Sequence, residues 1–292
     1  MKQKTLILLM IFLLIASGAL SAAKSIVWVG CGVTQNAFTR ELADAFEKET
    51  DIRVIVRGQG ALKGIRDAAS GRADIGGTCR LSLDIDKEKN VQLHHVAWDA
   101  IVFIVSKDNP VNEITSEQVR SIIDGTISNW KALGGKDQKI DFFSRYGNLS
   151  GVGHMFRVMF YQDANKEFPR AINKPRSSGL IEKLVAVNDG ALALSGAASA
   201  HKRSSIKMLA LDGVYPSKEN IQSGKYHLVR PLYFATGKTP SGESQRFVDF
   251  ALSEKGQKII AAEDVVNLSE GTHLLGTFKE RFGKKHLAPS LQ

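Results

Sequence analysis

Three glycine-rich loops could bind a ligand through backbone amides. They are GCGVTQN at 30–36, GQGALKG at 58–64 and GNLSGVG at 147–153. Each follows an apolar run and precedes a helix pattern, so each sets the free N–H groups and positive end of a helix beside a loop with few side chains. A single loop of this kind is a weak signal, because ordinary turns look the same. Three in one chain predict an oxyanion site.

Other kinds of chemistry find little support in the sequence. The loop GQGALKG matches neither the dinucleotide fingerprint nor the P-loop, so no nucleotide and no other cofactor is expected. Ser150 lacks a nucleophile-elbow motif and a His or acid partner at a telling spacing. Asp74 alone is not a catalytic pair. The chain is therefore expected not to be an enzyme.

The charge of the chain is positive but dispersed. It has 39 Lys and Arg against 30 Asp and Glu, a formal net charge of +9. Only FKERFGKKH at 278–286 is a dense basic run, and it is expected to be a solvated terminal helix and tail. Basic charge interleaved with aromatic residues, as nucleic-acid grooves require, is not visible. A small anion is a better partner than nucleic acid.

The first 23 residues have the pattern of a cleaved signal peptide. Lys2 and Lys4 precede an apolar run, and small residues lead to a cleavage point after Ala23. The apolar run is short for a membrane anchor. The pattern predicts export to the periplasm. The only two cysteines, Cys31 and Cys79, exclude a scaffold held together by disulfides.

Strand-like runs alternate with helix patterns, which predicts an α/β fold. Strands are expected at 26–30, 52–57, 73–77, 94–106, 139–145, 191–196 and 227–236, and helices at 36–50, 63–69, after Thr115, after Ser150, at 180–188 and at 241–263. Thr115 with Gln118 forms a capping-box signature. Two lobes joined by two strands would bind a ligand between them, near the starts of helices.

The sequence resembles the phosphate-binding proteins of ABC importers, which have the two-lobed periplasmic-binding-protein fold. The segments that carry this resemblance run in order along nearly the whole chain, among them GRADIGGTCR, GTISNWKALGG and DGVYPSKENIQSGKYHLVRPLY. It implies lobe 1 at 24–105 and 229–275, lobe 2 at 106–228, a basic tail at 276–292, and hinges near Val105 and Arg230. It further implies a monomer that delivers phosphate or a related oxyanion to a membrane permease.

The resemblance also assigns site residues. Thr34 and Ser150 would donate hydroxyls, Asp74 would accept a hydrogen bond from a protonated anion oxygen, and Arg145 would pair with the charge. The family's Ser-Gly-Thr appears here as Ser150-Gly151-Val152, and Gly151 is its middle residue. Two positions depart from the pattern, since Ala61 and Val152 stand where hydroxyl residues are expected and offer only amides. Each lost bond to a charged ligand weakens binding by about 1.5–3 kcal/mol. Lys63 and Arg80 are either compensating cations or surface charges.

The two cysteines leave three alternatives. In this fold Cys31 and Cys79 lie in ligand-side loops of the same lobe, so they could form a disulfide or remain two buried thiols. A soft-metal site with His154 and Met155 ranks below both, because those residues belong to the opposite lobe; no metal is expected. The missing hydroxyls also leave a second function open: a sensor, adhesion or accessory protein that has lost transport.

Overall fold

The computed structural model describes residues 24–145, 148–169 and 177–286. The signal peptide predicted at 1–23 and the last six residues of the tail lie outside these ranges. The strands are β1 Ser25–Gly30, β2 Arg53–Gly58, β3 Ile75–Thr78, β4 Val91–Ser106, β5 Glu113–Ile114, β6 Asp141–Phe143, β7 Ala191–Gly196, β8 Ile206–Met208, β9 Ala210–Leu211 and β10 Val229–Gly237.

The first helix, α1, is continuous through Gly32–Thr34, Gln35–Thr39 and Arg40–Thr50, the middle segment being π-helical. The others are α2 Ala61–Ala69, α3 Ser116–Asp124, α4 Gly151–Phe156 with a π turn Arg157–Tyr161, α5 Ser178–Val185, α6 Ala197–Ala200, α7 Lys218–Gln222, α8 Gly242–Leu252, α9 Glu254–Ala262 and α10 Leu274–Phe282. Within the described ranges, no helix is both long and apolar enough to cross a membrane.

One long sheet runs through the molecule in the order β2-β1-β3-β10-β4-β7-β6, with β8 also paired to β4. β1 pairs in parallel with β2 and β3, whereas β10 lies antiparallel between β3 and β4. On the other side, β4 pairs antiparallel with β7 and β8, and β6 is parallel to β7. Helices cover this mixed sheet, as the predicted α/β class requires.

Strand β4 belongs to both halves of the sheet. Val229 to Gly237 of β10 pair with β4 from Ala100 back to Val91, and from Ile101 onward β4 pairs with β7. The change of partners divides the sheet into two parts, which we call lobe 1 and lobe 2. It falls between Ala100 and Ile101, four residues before Val105.

A buried ion pair lies where the two lobes meet. Nη2 of Arg230 on β10 donates to Oδ2 of Asp99 on β4 at 2.8 Å. The backbone N–H of Ala198, in lobe 2, donates to the other carboxylate oxygen of Asp99 at 2.9 Å. Both charged side chains are fully buried. A buried pair of this kind adds little net stability, because the cost of desolvating both charges offsets much of their attraction.

Two predicted elements differ from the structure. The helix expected at 241–263 is two helices, because Ser253 is extended (ψ 161°) and its hydroxyl accepts a bond from the Gly256 N–H, which starts a new helix. The terminal helix is only partly solvated. Leu274 and Phe278 are buried, and the Phe278 ring lies 6.3 Å from that of Trp98. Helix α10 therefore docks on lobe 1.

Candidate functional site

The N-termini of α1, α2 and α4 meet at one point. A Cβ built at Gly151, the first residue of α4, would lie 3.0 Å from the Ala61 Cβ at the start of α2, and it would collide with the Cys79 sulfur. The N–H groups of the first turn of a helix have no partner within the helix. The loops at 30–36 and 58–64, and the described part of 147–153, are therefore brought together as predicted, with free amide donors between the lobes.

Cys31 begins α1 in an unexpected way. It is the N-cap residue, and its sulfur accepts a bond from the Thr34 N–H at 3.4 Å. The same sulfur lies 2.7 Å from the Thr34 hydroxyl oxygen. This sulfur cap starts the helix at Gly32, four residues before the predicted start. Thr34 is fully buried beside the cleft, and its hydroxyl is shared with the Cys31 thiol.

Ser150 caps α4, the helix that was predicted to follow it. Its hydroxyl oxygen accepts a bond from the Gly153 N–H at 3.2 Å. A hydroxyl that accepts a capping bond keeps its own proton to donate. Val152 is buried, with 3% of its surface exposed. It contributes its backbone N–H and an apolar side chain.

Arg145 enters the cleft from lobe 2 without a partner. No hydrogen bond or ion pair of its guanidinium joins it to another described residue, and its Nε is buried and unpaired. Burial lowers the pKa of Arg145, while the nearby thiols of Cys79 and Cys31 oppose that shift. A partly buried guanidinium without a carboxylate favours an anionic guest.

The sequence reasoning missed Arg230 as a site residue and considered it only as a hinge. Its Nε and Nη2 face Asp99, but Nη1 is buried and lacks a partner among the described residues. Burial opposes its charge, yet Cys79 and Asp99 together raise the pKa of Arg230. The signal was present: one Asp and one Arg each stand alone in an apolar strand, which indicates a buried pair.

Asp74 does not lie with these residues, contrary to the expectation. It precedes β3, beside the middle of β1, and its carboxylate accepts a bond from the Val27 N–H at 2.7 Å. Cys79 follows the other end of β3 and faces the cleft. Asp74 instead borders a surface cavity with Asn90 and Lys238. The prediction chose the wrong end of the strand for the acidic residue.

Lys63 and Arg80 both have partners of their own. Lys63 is half exposed and pairs with Asp67 one turn along α2, so it is a surface charge. Arg80 is buried and binds both carboxylate oxygens of Glu88, at 2.9 Å each. Its Nε also donates to the Leu149 carbonyl at 2.8 Å. Arg80 thus connects lobe 1 to the loop before α4 and leaves no charge unpaired for a ligand.

Several contacts hold the lobes against each other at the cleft. Asn36 Nδ2 donates to the Ser199 hydroxyl at 3.4 Å. The ammonium group of Lys202, in lobe 2, pairs with Glu41 and Glu263 of lobe 1. Together with the Arg80 bond, these contacts describe a closed cleft with buried walls.

The two cysteines are free thiols in the structure. Gly30 pairs with Gly77, and the Cys31 N–H donates to the Gly77 carbonyl at 2.9 Å, which places the two cysteines at the adjacent ends of β1 and β3. The alternative soft-metal set is not assembled. His154 Nδ1 is bonded to the Asn148 carbonyl, and Met155 is buried in the core. No group of three or more His, Cys, Asp or Glu side chains in the described ranges could hold a metal ion.

Two α/β lobes, a shared central strand and an oxyanion-type cleft at helix N-termini define a two-lobed solute-binding protein. A family model described as the PBP superfamily domain matches residues 18–255. The chain belongs to this superfamily.

Relatives and solved structures agree with this assignment. The phosphate-binding protein PstS of Borreliella burgdorferi is 27% identical over 254 residues, 84% of this chain and 91% of the relative. PstS of Bacillus subtilis is 28% identical over 251 residues, 85% of this chain and 82% of the relative.

Among solved structures, a putative phosphate ABC transporter substrate-binding protein with bound phosphate from Clostridium perfringens is similar, with a TM-score of 0.73 and 28% identity. It covers 84% of this chain and 99% of its own. An ABC-type phosphate transport receptor from Vibrio cholerae has a TM-score of 0.61 and 26% identity. It covers 84% of this chain and 100% of its own. The predicted two-lobed fold is confirmed.

Proposed function

We propose that this chain is an exported solute-binding protein that binds phosphate or a related oxyanion between its lobes and delivers it to the permease of an ABC importer. The observation that supports this most is Arg145, whose Nε is buried without a partner among the described residues and whose Cβ lies about one van der Waals contact from Gly153 in the first turn of α4. Relatives along most of the chain are named phosphate-binding proteins. Binding and release, without catalysis and as a monomer, are the expected activity.

The binding residues under this proposal are Thr34, Arg145, Ser150 and the amides of Ala61, Gly151 and Val152. Arg230 joins them through Nη1, while Asp74, Lys63 and Arg80 leave the set. Opening would occur about Ala100–Ile101 and the start of β10, where strand partners change. Because bending there is confined to the strands that join the lobes, each lobe would move as a rigid body.

Isothermal titration of the mature, reduced protein with phosphate, sulfate, arsenate and a phosphonate tests the proposal. We expect saturable heat with at least one of them, at one site per chain, and a smaller radius of gyration when that anion is bound. Absence of heat with all four would overturn oxyanion binding. It would instead favour the sensor, adhesion or accessory alternative, which Ala61 and Val152 motivate.

A further inference from the structure

The strongest feature that oxyanion binding leaves unused is the pair of thiols in the cleft. Cys31 and Cys79 are 4% and 0% exposed and lie just beyond the adjacent ends of β1 and β3. Parallel pairing of β1 with β3 holds them together, and the Cys31 N–H donates to the Gly77 carbonyl at 2.9 Å. Two sulfurs on adjacent strand ends form a rigid dithiol.

The surroundings of the dithiol favour thiolate chemistry. Burial by itself raises the pKa of Cys31, but hydrogen bonds with Cys79 and Thr34 and the charge of Arg230 lower it to about 7. The bond to Cys31 and burial raise the pKa of Cys79. One sulfur is thus poised to attack while its neighbour keeps its proton, and the thiolate is the reactive form of cysteine.

Oxygen-binding groups lie next to the sulfurs. Arg145 and Arg230 are close enough for their charges to interact with both thiols. Nη1 of Arg230, a fully buried side chain, has no partner among the described residues. Gly151 packs directly on Cys79 and brings the free amide of α4. A ligand held here would meet two sulfur donors and several groups that bind an oxygen.

That combination gives zinc too few protein ligands for a structural site. Zinc requires four protein or water ligands, and structural sites take them from Cys and His. No third Cys, His, Asp or Glu completes a cluster in the part of the chain that the structure describes. An element that binds two thiolates and retains one oxygen ligand fits this set of donors better than zinc does.

We propose that the cleft is also a binding site for arsenous acid, As(OH)3, held by Cys31 and Cys79 and by the oxyanion donors around them. Each thiol forms an As–S bond as one As–O bond breaks, and each thiol proton leaves with that hydroxide as water. Two waters are released, arsenic remains trivalent and no oxidant is needed. The third hydroxyl stays on arsenic, beside Arg145. The inference rests on the proposed function, because the same cleft must open to admit the ligand.

Native mass spectrometry of the reduced, mature protein with sodium arsenite tests the site. We expect one arsenic per chain, with loss of two waters and of both titratable thiols. X-ray absorption should show two sulfurs and one oxygen on arsenic. Cys31→Ser and Cys79→Ser should each reduce the adduct from one per chain to none. If the buried Cys79→Ser variant does not fold, Cys31→Ser alone decides, since a hydroxyl can replace the thiol beside Thr34.

Several results would overturn the inference. They are no adduct on the folded wild type, equal adducts on the folded serine variants, adducts only after denaturation, or a disulfide that cannot be reduced without unfolding. The same samples are titrated with phosphate, sulfate, arsenate and a phosphonate. Oxyanion heat without an arsenic adduct rejects this inference alone, whereas an adduct without heat rejects only the proposed function. If both hold, arsenite-loaded protein should no longer bind the oxyanion.

Discussion

At the scale of single residues, three arginines near the cleft differ in how many of their donor groups already have a partner. Arg80 is fully committed to Glu88 and Leu149, and Arg230 is partly committed to Asp99. Arg145 alone of these three has no hydrogen-bonded partner among the described residues. Its charge is therefore the one most available to a ligand, and its removal should affect binding more than folding.

Arg145→Gln should weaken oxyanion binding about 10- to 100-fold, because a hydrogen bond to a charged group contributes about 1.5–3 kcal/mol. Thermal stability should stay within a few degrees, since no carboxylate is left unpaired. Calorimetry measures the affinity. The matched control is Lys63→Gln, a cation on α2 paired with Asp67, which should change affinity less than about twofold. Equal losses in both variants would contradict the site.

Cys31 predicts a pH dependence of binding. Its pKa is lowered to about 7, so raising the pH through 7 converts the thiol to a thiolate and adds a negative charge beside the anion. Wild-type affinity should then fall relative to Cys31→Ser by on the order of tenfold, from about 1–2 kcal/mol of repulsion at an effective dielectric constant near 20. Both proteins are titrated with the same anion, so the effect of the anion's own ionisation on affinity cancels in the comparison. Parallel pH profiles would refute this.

At the scale of elements, Arg80 and Glu88 determine how β3 meets the loop before α4. Glu88 also accepts the Leu83 N–H at 2.9 Å, so the pair orders the turn after β3. The bond from Arg80 Nε to the Leu149 carbonyl then attaches this turn to lobe 2. The turn after β3 in lobe 1 is thereby linked to the loop before α4 in lobe 2.

Arg80→Met should destabilise the protein by up to about 3–5 kcal/mol, because the buried Glu88 carboxylate keeps only Arg66, at 3.6 Å, and the Leu83 N–H as partners. The double variant Arg80→Met/Glu88→Leu should recover much of that loss. Burial alone would raise the pKa of Glu88, but Arg80 lowers it. The stabilisation is therefore present above the unfolded pKa of about 4.3 and is lost as pH falls through the folded pKa.

Urea denaturation at neutral and acidic pH measures these differences. The control is Lys258→Ala, which removes an exposed pair with Glu254 and should change stability by less than about 0.5 kcal/mol. A single variant as stable as the double would show that the pair is not the cause.

At the scale of the whole molecule, closure depends on charges that connect the lobes. Lys202 pairs with Glu41 on α1 and with Glu263 after α9. Because these side chains are partly exposed, each pair contributes about 0.2–1 kcal/mol and is screened by salt. The ligand-bound form should be stabilised by them only modestly.

Lys202→Ala should weaken oxyanion binding about 2- to 10-fold at low ionic strength, since it destabilises the closed form that binds. The difference should shrink in roughly 0.5 M salt, where the Debye length is only a few ångströms. Titration at both salt concentrations measures this, with Lys258→Ala again as the control. Unchanged affinity at low salt would show that closure does not use Lys202.

The sequence predicted features that depend on residues close together in the chain, and it missed features that depend on distant residues. The Thr115 capping box depends on residues three positions apart, and the structure confirms it. Asp74 was misplaced because the sequence does not say which end of β3 lies at the cleft. The role of Arg80 could not be decided from the sequence, because its pairing with Glu88 in the interior leaves no periodic pattern in the residues around it. The contact of Cys31 with Cys79 depends on strand pairing across many residues, which no single segment encodes.

The position of β10 has a consequence for synthesis. It lies between β3 and β4 in the sheet, yet it is residues 229–237 of 292, so the sheet of lobe 1 cannot be joined until most of the chain has been made. Long-range pairing of this kind folds slowly. If the leader predicted at residues 1–23 directs export, this delay would keep the emerging polypeptide unfolded and able to pass through a secretion channel. The strand that completes the sheet of lobe 1 would then also set the earliest point at which the binding protein can fold.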